Sequence, residues 1–259
     1  MKAFLEKFPG NGGVYCLSKP DNSFEDSYIA IRKKEQRVLS DEQVSQLPRV
    51  DRSNPHFDEW QIRNRSFERV INYLMDDPKS QLRILDLGCG NGWFTHRLAA
   101  LGHLEVLGLD INMIELKQAA RIFTTEKCRF AYGDIAVLDF DNLKFDRIFL
   151  NASVQYFSNL TRLLKRLLNL LNKGGEIHII DSPFYKSVDI PAAKARSFSY
   201  YKTMGFETMS TSYFHHSLEE ISQFDPFYLY QPSTGFKKFL DRFGKKDTPF
   251  PWIRISKEN

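Results

Sequence analysis

The stretch "RILDLGCGNGWFT", residues 83–95, sets the tightest limit on what this chain can fold into. A short apolar run breaks into glycines at 88, 90 and 92, and a helical pattern follows at once. A strand that ends in glycines and feeds a helix aims backbone N–H groups and the positive end of the helix dipole at a ligand. Beyond it the texture repeats, with candidate strands "RILDLG" (83–88), "EVLGLD" (105–110), "CRFAYGD" (128–134), "DRIFLNA" (146–152) and "EIHIID" (176–181) separated by helical segments. That alternation predicts a parallel sheet with crossover helices. Between the last two strands, Leu160, Leu163, Leu164, Leu167, Leu168 and Leu171 form one apolar face of a sheet-covering helix, stopped by Gly174-Gly175.

The flanks read less regularly. Residues 1–54 are expected to form an N-terminal elaboration, with "FPGNGG" irregular, "SYIAIR" (27–32) alternating like a half-buried strand, and Ser40-Asp41-Glu42-Gln43 shaped as a capping box. Ser53 or Asn54 can cap a helix over about 55–75, with Pro55 at its first position and Asp77-Pro78 at its end. After Asp181, "PAAKARSFSYYKTMGF" and "SLEEISQF" look helical, and "PFYLYQ" and "PFPWIRIS" look like strands. The basic segment "GFKKFLDRFGKK" between those strands reads as a solvated helix or long loop. The expected division is an elaboration over 1–54 and one domain over 55–259, its ligand half at 82–181 and its second-substrate part at 182–259.

The glycine spacing narrows the ligand. A dinucleotide fingerprint needs glycine or alanine where this chain has Trp93 or, in the other register, Thr95, and no lysine follows the turn as a phosphate loop requires. The pattern present, Asp86-x-Gly88-x-Gly90-x-Gly92, resembles motif I of the class I S-adenosylmethionine-dependent methyltransferases. The resemblance continues through Asp110 at the end of the second strand, "YGDIAVLDF" after the third, "FDRIFLNASVQYF" at the fourth and "LNKGGEIHIID" at the fifth. It implies a Rossmann-like, doubly wound, mostly parallel seven-stranded α/β sheet with helices on both faces and an antiparallel last strand. It also implies S-adenosyl-L-methionine as cofactor and S-adenosyl-L-homocysteine as product. The residues it assigns to the cofactor are Asp86, Gly88, Cys89 and Gly90 at the turn, Asp110 and Ile111 at the ribose, Asp134 and Ile135 at the adenine, and Asn151. Trp60 and Arg63, on one helix face with His56, are expected as part of a lid, or Trp60 simply packs on the domain.

The fourth-strand loop speaks to the acceptor. Enzymes of this class that methylate adenine amino groups or glutamine carry [DN]-P-P-[YFW] there, whereas this chain has Asn151-Ala152-Ser153-Val154. Nor is there the proline-linked cysteine of cytosine C5 enzymes. The loop looks like the small-molecule, methyltransferase-11-like branch, which implies in-line methyl transfer to a small acceptor. Tyr156, Asp181 and His215 are the candidate catalytic residues, with Tyr185 and His216 as neighbours and packing roles open for Tyr156 and His216. The alternatives are an RNA or protein methyltransferase, and a protein that binds the donor or its product without turnover.

Composition fits an ordinary globular enzyme. Apolar residues make up 42% of the 259, enough for a sizeable core. The net charge of +4 gathers after Pro232, where Lys237, Lys238, Arg242, Lys245, Lys246, Arg254 and Lys257 outnumber Asp241, Asp247 and Glu258. A neutral body with a basic tail argues against a dedicated nucleic-acid binder. Cys16, Cys89 and Cys128 lie far apart with no metal-ligand spacing. No apolar run has the length of a signal peptide or a membrane span, so a cytoplasmic location without membrane insertion is expected.

Overall fold

The computed structural model describes residues 1–20, 25–77, 81–232 and 247–257. The N-terminal part supplies α1 (Lys2–Leu5), β1 (Gly10–Asn11), β2 (Val14–Cys16), α2 (Glu25–Lys34), α3 (Asp41–Gln46) and α4 (Phe57–Met75). The alternating core follows as β3 (Leu82–Leu87), α5 (Trp93–Ala99), β4 (Leu104–Asp110), α6 (Met113–Phe123), β5 (Cys128–Tyr132), β6 (Phe145–Asn151), α7 (Leu160–Leu170) and β7 (Leu171–Ile180). Beyond it lie β8 (Phe184–Tyr185), α8 (Ile190–Thr203), β9 (His216–Ser217), α9 (Leu218–Ser222), β10 (Phe227–Tyr230) and β11 (Trp252–Ser256).

The main sheet runs β1-β2-β5-β4-β3-β6-β7-β11-β10. Strands β2 to β7 pair parallel in that order, and β11 lies antiparallel against β7. The expected seven strands are therefore present, extended at the β5 edge by a short hairpin. The chain order reverses between β4 and β6 around β3, so the crevice past the carboxyl ends of β3 and β6 is where a ligand binds in such sheets. Alternation along each strand divides the core. Leu85 and Leu87 of β3 join Leu107, Ile148 and the α7 leucines on one face. Ile84 joins Val106, Phe130 and Phe149 under α4, α5 and α6 on the other. Behind the sheet a buried polar knot ties β6, β7 and β11 to α4. Arg147 bonds Asp77 and Glu176, Tyr73 donates to Glu176, and the Trp252 indole N–H donates to His178 Nδ1 at 3.1 Å.

Three expectations are corrected. Residues 27–32 lie inside helix α2, not in a strand. Helix α4 begins at Phe57, with Asn54 Oδ1 accepting from the His56 N–H at 2.8 Å in the turn before it, so Pro55 precedes the helix. The α7 helix gives way to strand at Leu171, ahead of Gly174. Residues 1–54 contribute two strands to the sheet and place Phe4, Leu5 and Leu17 in its core. The capping boxes at Ser40 and Ser217 both form. The basic segment "GFKKFLDRFGKK" lies outside the described residues. Cys16, Cys89 and Cys128 are free thiols. No helix among the described residues is long and apolar enough to cross a membrane.

Candidate active site

The turn after β3 is held in a left-handed conformation, with Gly88 at φ +77° and Gly92 at φ +75°. A Cβ on Gly88 would stand 2.5 Å from the Ser153 Cβ, and one on Gly92 would meet the Phe130 ring at 2.6 Å. Glycine is thus required both by dihedral and by space. This lets the turn press against the β6 loop, where Ser153 Oγ donates to the Leu87 carbonyl at 2.7 Å. The carboxylate of Asp110 ties the turn to β4: Oδ2 accepts the Gly90 N–H at 2.8 Å, and Oδ1 accepts from Ile111 at 2.7 Å and Asn112 at 2.9 Å. At the end of β5, Asp134 accepts the Ala136 N–H on Oδ1 at 2.8 Å. Arg166 of α7 fixes the following loop by donating to the Ile135 and Leu138 carbonyls.

These strand ends open into one cavity of about 800 Å³. Gly88, Cys89, Gly90, Asp110, Ile111, Asp134, Ile135 and Asn151 all line it, as do Trp60, Arg63, Tyr156 and Asp181. Asn151 Oδ1 and Asp181 Oδ2 are buried without a hydrogen-bond partner. Asp181 sits at φ +49° just past β7, its Oδ1 accepting from Ser66 at 2.7 Å and Thr248 at 3.0 Å. Burial raises its pKa above the usual carboxylate range, against the pull of Arg63. Trp60 packs edge-on to Trp93 at 5.6 Å, with the Arg63 guanidinium 5.4 Å from its ring, so it both packs and lines.

Two expected site residues stand back from the cavity wall. Asp86 is 1% exposed; its carboxyl lies behind the turn, taking a 2.6 Å hydrogen bond from Thr95. Burial pushes its pKa up to about 7, so it braces the turn. His215 is also off the wall. Its Nε2 shares a 2.9 Å hydrogen bond with Ser197, which does line the cavity, and burial lowers its pKa. His216 is buried with Nε2 3.2 Å from the Val154 carbonyl, which accounts for it structurally. Tyr185 pairs through β8 with β9 and stacks 5.5 Å from His215, likewise outside the cavity.

The roof was not visible in the sequence. Tyr28 and Arg32 reach down from α2, and Tyr200 and Tyr201 from α8, with Tyr213 beside them. The rings form a chain: Tyr28 to Tyr156 at 6.0 Å, Tyr156 to Tyr213 at 6.0 Å, Tyr213 to Tyr201 at 6.2 Å. A separate small apolar cluster of Ile31, Tyr201 and Met209 holds the two roof elements together. On one wall, Arg37 grips Glu59 through two bonds of 3.0 and 2.6 Å, and Arg63 adds a third of 3.0 Å. Against the effect of burial, those two cations hold the Glu59 carboxyl down to about 2. The helical spacing of Tyr28 and Arg32, i and i+4, was the one local signal available.

The cavity fits an adenosylated amino acid. Asp134 Oδ2 is left over for an adenine amino group, Asp110 has lone pairs left for ribose hydroxyls, and the unpartnered Asn151 and Asp181 oxygens suit an ammonium. Comparison with known proteins agrees. The family model described as "Methyltransferase domain" matches residues 78–226. The chain is 35% identical over 117 residues to a malonyl-[acyl-carrier protein] O-methyltransferase of Erwinia pyrifoliae, covering 45% of this chain and 43% of that protein. It is 31% identical over 123 residues to a tRNA U34 carboxymethyltransferase of Campylobacter curvus, covering 47% and 40%. The chain thus spans less than half the length of these curated relatives. Among solved structures, phosphoethanolamine N-methyltransferase 2 of Haemonchus contortus in complex with S-adenosyl-L-methionine superposes with TM-score 0.58 at 18% identity, over 92% of this chain and 60% of that one. YcgJ of Bacillus subtilis superposes with TM-score 0.56 at 15% identity, over 76% and 99%. Glycine turn, strand-end acids and family match converge: the chain belongs to the methyltransferase-domain family and has the fold of the class I S-adenosylmethionine-dependent methyltransferases.

Proposed function

We propose that this chain transfers the methyl group of S-adenosylmethionine to a small-molecule acceptor. The observation that carries the reading is the continuity of the cavity. It runs from Asp134 past Asp110, Gly90 and Gly88 to Asn151 and Asp181, and continues under the roof tyrosines. Its volume of about 800 Å³ lies toward the upper end for a ligand pocket and suits two molecules side by side.

The donor supplies a methyl group already activated on a sulfonium, so the chain's own work is to bind, orient, exclude water and accept a proton. Asp110 and Asp134 hold the nucleoside, and Asn151 and Asp181 hold the amino-acid end. The roof keeps water out and aligns the acceptor, which is where most of the acceleration arises in an in-line displacement. With Oδ1 taken by Ser66 and Thr248 and Oδ2 given to the donor's ammonium, Asp181 positions the donor and has no oxygen left to take the acceptor's proton. Tyr156 is not a base, because burial raises its pKa and keeps its phenol protonated. His215 can act only through Ser197.

Calorimetry with S-adenosylhomocysteine tests the donor half, and one bound equivalent is expected. Labelled donor incubated with a cell extract that is then fractionated by size tests the acceptor half. Label in the small-molecule fractions supports the reading, and label only in RNA or protein overturns the acceptor class. Binding without transfer to any fraction would identify a non-catalytic binder.

A further inference from the structure

Arg32 is a cation with two carboxylates, Glu35 and Glu115, near it and neither bonded to it. It lines the cavity from α2, its Nε is buried with no hydrogen-bond partner, and it forms no ion pair with any described carboxylate. The Tyr28 ring has its centroid 5.6 Å from the guanidinium carbon. A cation–π contact of that length offsets only part of the desolvation of a guanidinium. Two other cations of the wall, Arg37 and Arg63, share Glu59. Glu115 faces the same space as Arg32, but burial pushes its pKa up to about 7, so it is only partly ionised near neutrality and does not cancel the charge.

Three phenols of the same cavity, Tyr156 beside Arg32 and Tyr213 and Tyr201 beyond it, are unspent as well. Among the described residues, the hydroxyls of Tyr156, Tyr201 and Tyr213 have no protein hydrogen-bond partner, and burial raises all three pKa values, so they remain donors. A guanidinium and three O–H groups that line one compartment, none of them bonded to the nearby carboxylates of Glu35 and Glu115, form a complement to an oxyanion. We propose that Arg32, with the hydroxyls of Tyr156, Tyr201 and Tyr213, recognises a carboxylate or phosphate carried by the methyl acceptor. This rests on the methyl-transfer reading. The donor's own carboxylate is the competing anion, but the donor's amino-acid end belongs beside Gly88, Asn151 and Asp181, where Arg63 is the neighbouring cation. The charged and phenolic neighbours of Arg32 are Tyr28, Glu115, Tyr156 and Glu35.

The test follows the Arg32 side-chain N–H resonance, assigned by its loss in Arg32→Gln, while protein saturated with S-adenosylhomocysteine is titrated with benzoate, phenyl phosphate or benzamide. At least one anion should bind tenfold or more tighter than benzamide and move that resonance. Arg32→Gln should abolish the preference and Arg32→Lys restore part of it, with melting temperatures confirming that both variants fold. Benzoate against phenyl phosphate distinguishes the two oxyanions. No preference for either anion, or a preference surviving in Arg32→Gln, overturns the proposal. It is also overturned if Arg32→Gln weakens S-adenosylhomocysteine tenfold while leaving 5′-methylthioadenosine unchanged, since Arg32 would then hold the donor's carboxylate. The anion titrations repeated without the nucleoside keep the tests separate, so a failure of S-adenosylhomocysteine to bind would count against the methyltransferase reading alone.

Discussion

Replacing Gly88 with alanine should destabilise the fold by about 2–5 kcal/mol, and most of that should depend on one neighbour. The backbone strain of a left-handed alanine at φ +77° is about 1–2 kcal/mol. The new methyl would also lie 2.5 Å from the Ser153 Cβ, and forcing a methyl into such packing costs about 1–3 kcal/mol more. Ser153 cannot simply swing aside, because its Oγ is committed to the Leu87 carbonyl at 2.7 Å. Ser153→Gly alone should cost about 1–2 kcal/mol, from the lost hydrogen bond and the freer backbone. In that background the clash is gone, and Gly88→Ala should cost only about 1–2 kcal/mol, a coupling of about 1–3 kcal/mol. Urea unfolding followed by tryptophan fluorescence measures all four corners of the cycle. Additivity within about 0.5 kcal/mol would refute the claim that glycine is required here by the approach of the β6 loop.

Asp110→Asn should weaken S-adenosylhomocysteine about 10–100-fold by calorimetry, the range expected for losing charge-assisted bonds to ribose; unchanged affinity would mean that the nucleoside lies elsewhere. Asp86 is predicted to make stability pH-dependent. Burial raises its pKa from 3.8 to about 7, so the folded state holds the proton more tightly than the unfolded one. That stabilisation is full below about pH 4 and lost as the pH climbs through about 7, by at most about 4 kcal/mol. Asp86→Asn should flatten the decline in denaturation midpoints measured across that window, and an unaltered slope would assign the titration to another group. Phe94, 2% exposed and edge-on to Phe67, Trp93 and Phe149 at 5.6, 5.6 and 5.5 Å, should cost about 3–5 kcal/mol as alanine. A loss under 1 kcal/mol by urea unfolding would mean that the aromatic cluster repacks.

The donor half was legible because its signals are local. Each strand buried on both faces is a short apolar run, and each ligand residue follows directly on a strand end, so order and spacing along the chain place Asp110 and Asp134. The roof was illegible for the opposite reason. Tyr28, Tyr201 and Tyr213 are scattered over nearly 190 positions and meet Tyr156, the one ring the sequence singled out, only through the topology. Helix α2 misled the reading because "SYIAIR" alternates with period two by accident. Its real pattern buries Glu25, Ile29 and Ile31 while Tyr28 and Arg32 face a polar cavity, so no broad apolar stripe marks it as helical. The strands β1 and β2 are only two and three residues long, too short for any periodicity to register.

That hairpin has a consequence for how copies of this chain behave toward one another. Without β2, the five residues of β5, all buried, would present a full row of unpaired backbone groups at a free edge. Such an edge is a template for adding strands from other molecules. With the hairpin in place the outermost strand among the described residues is Gly10–Asn11 at one margin and Phe227–Tyr230 at the other, both short stubs. The first twenty residues therefore insulate the sheet against self-association. A chain trimmed of residues 1–20, which removes the core side chains Phe4, Leu5, Val14 and Leu17 together with the hairpin, should sediment increasingly as aggregates with rising concentration.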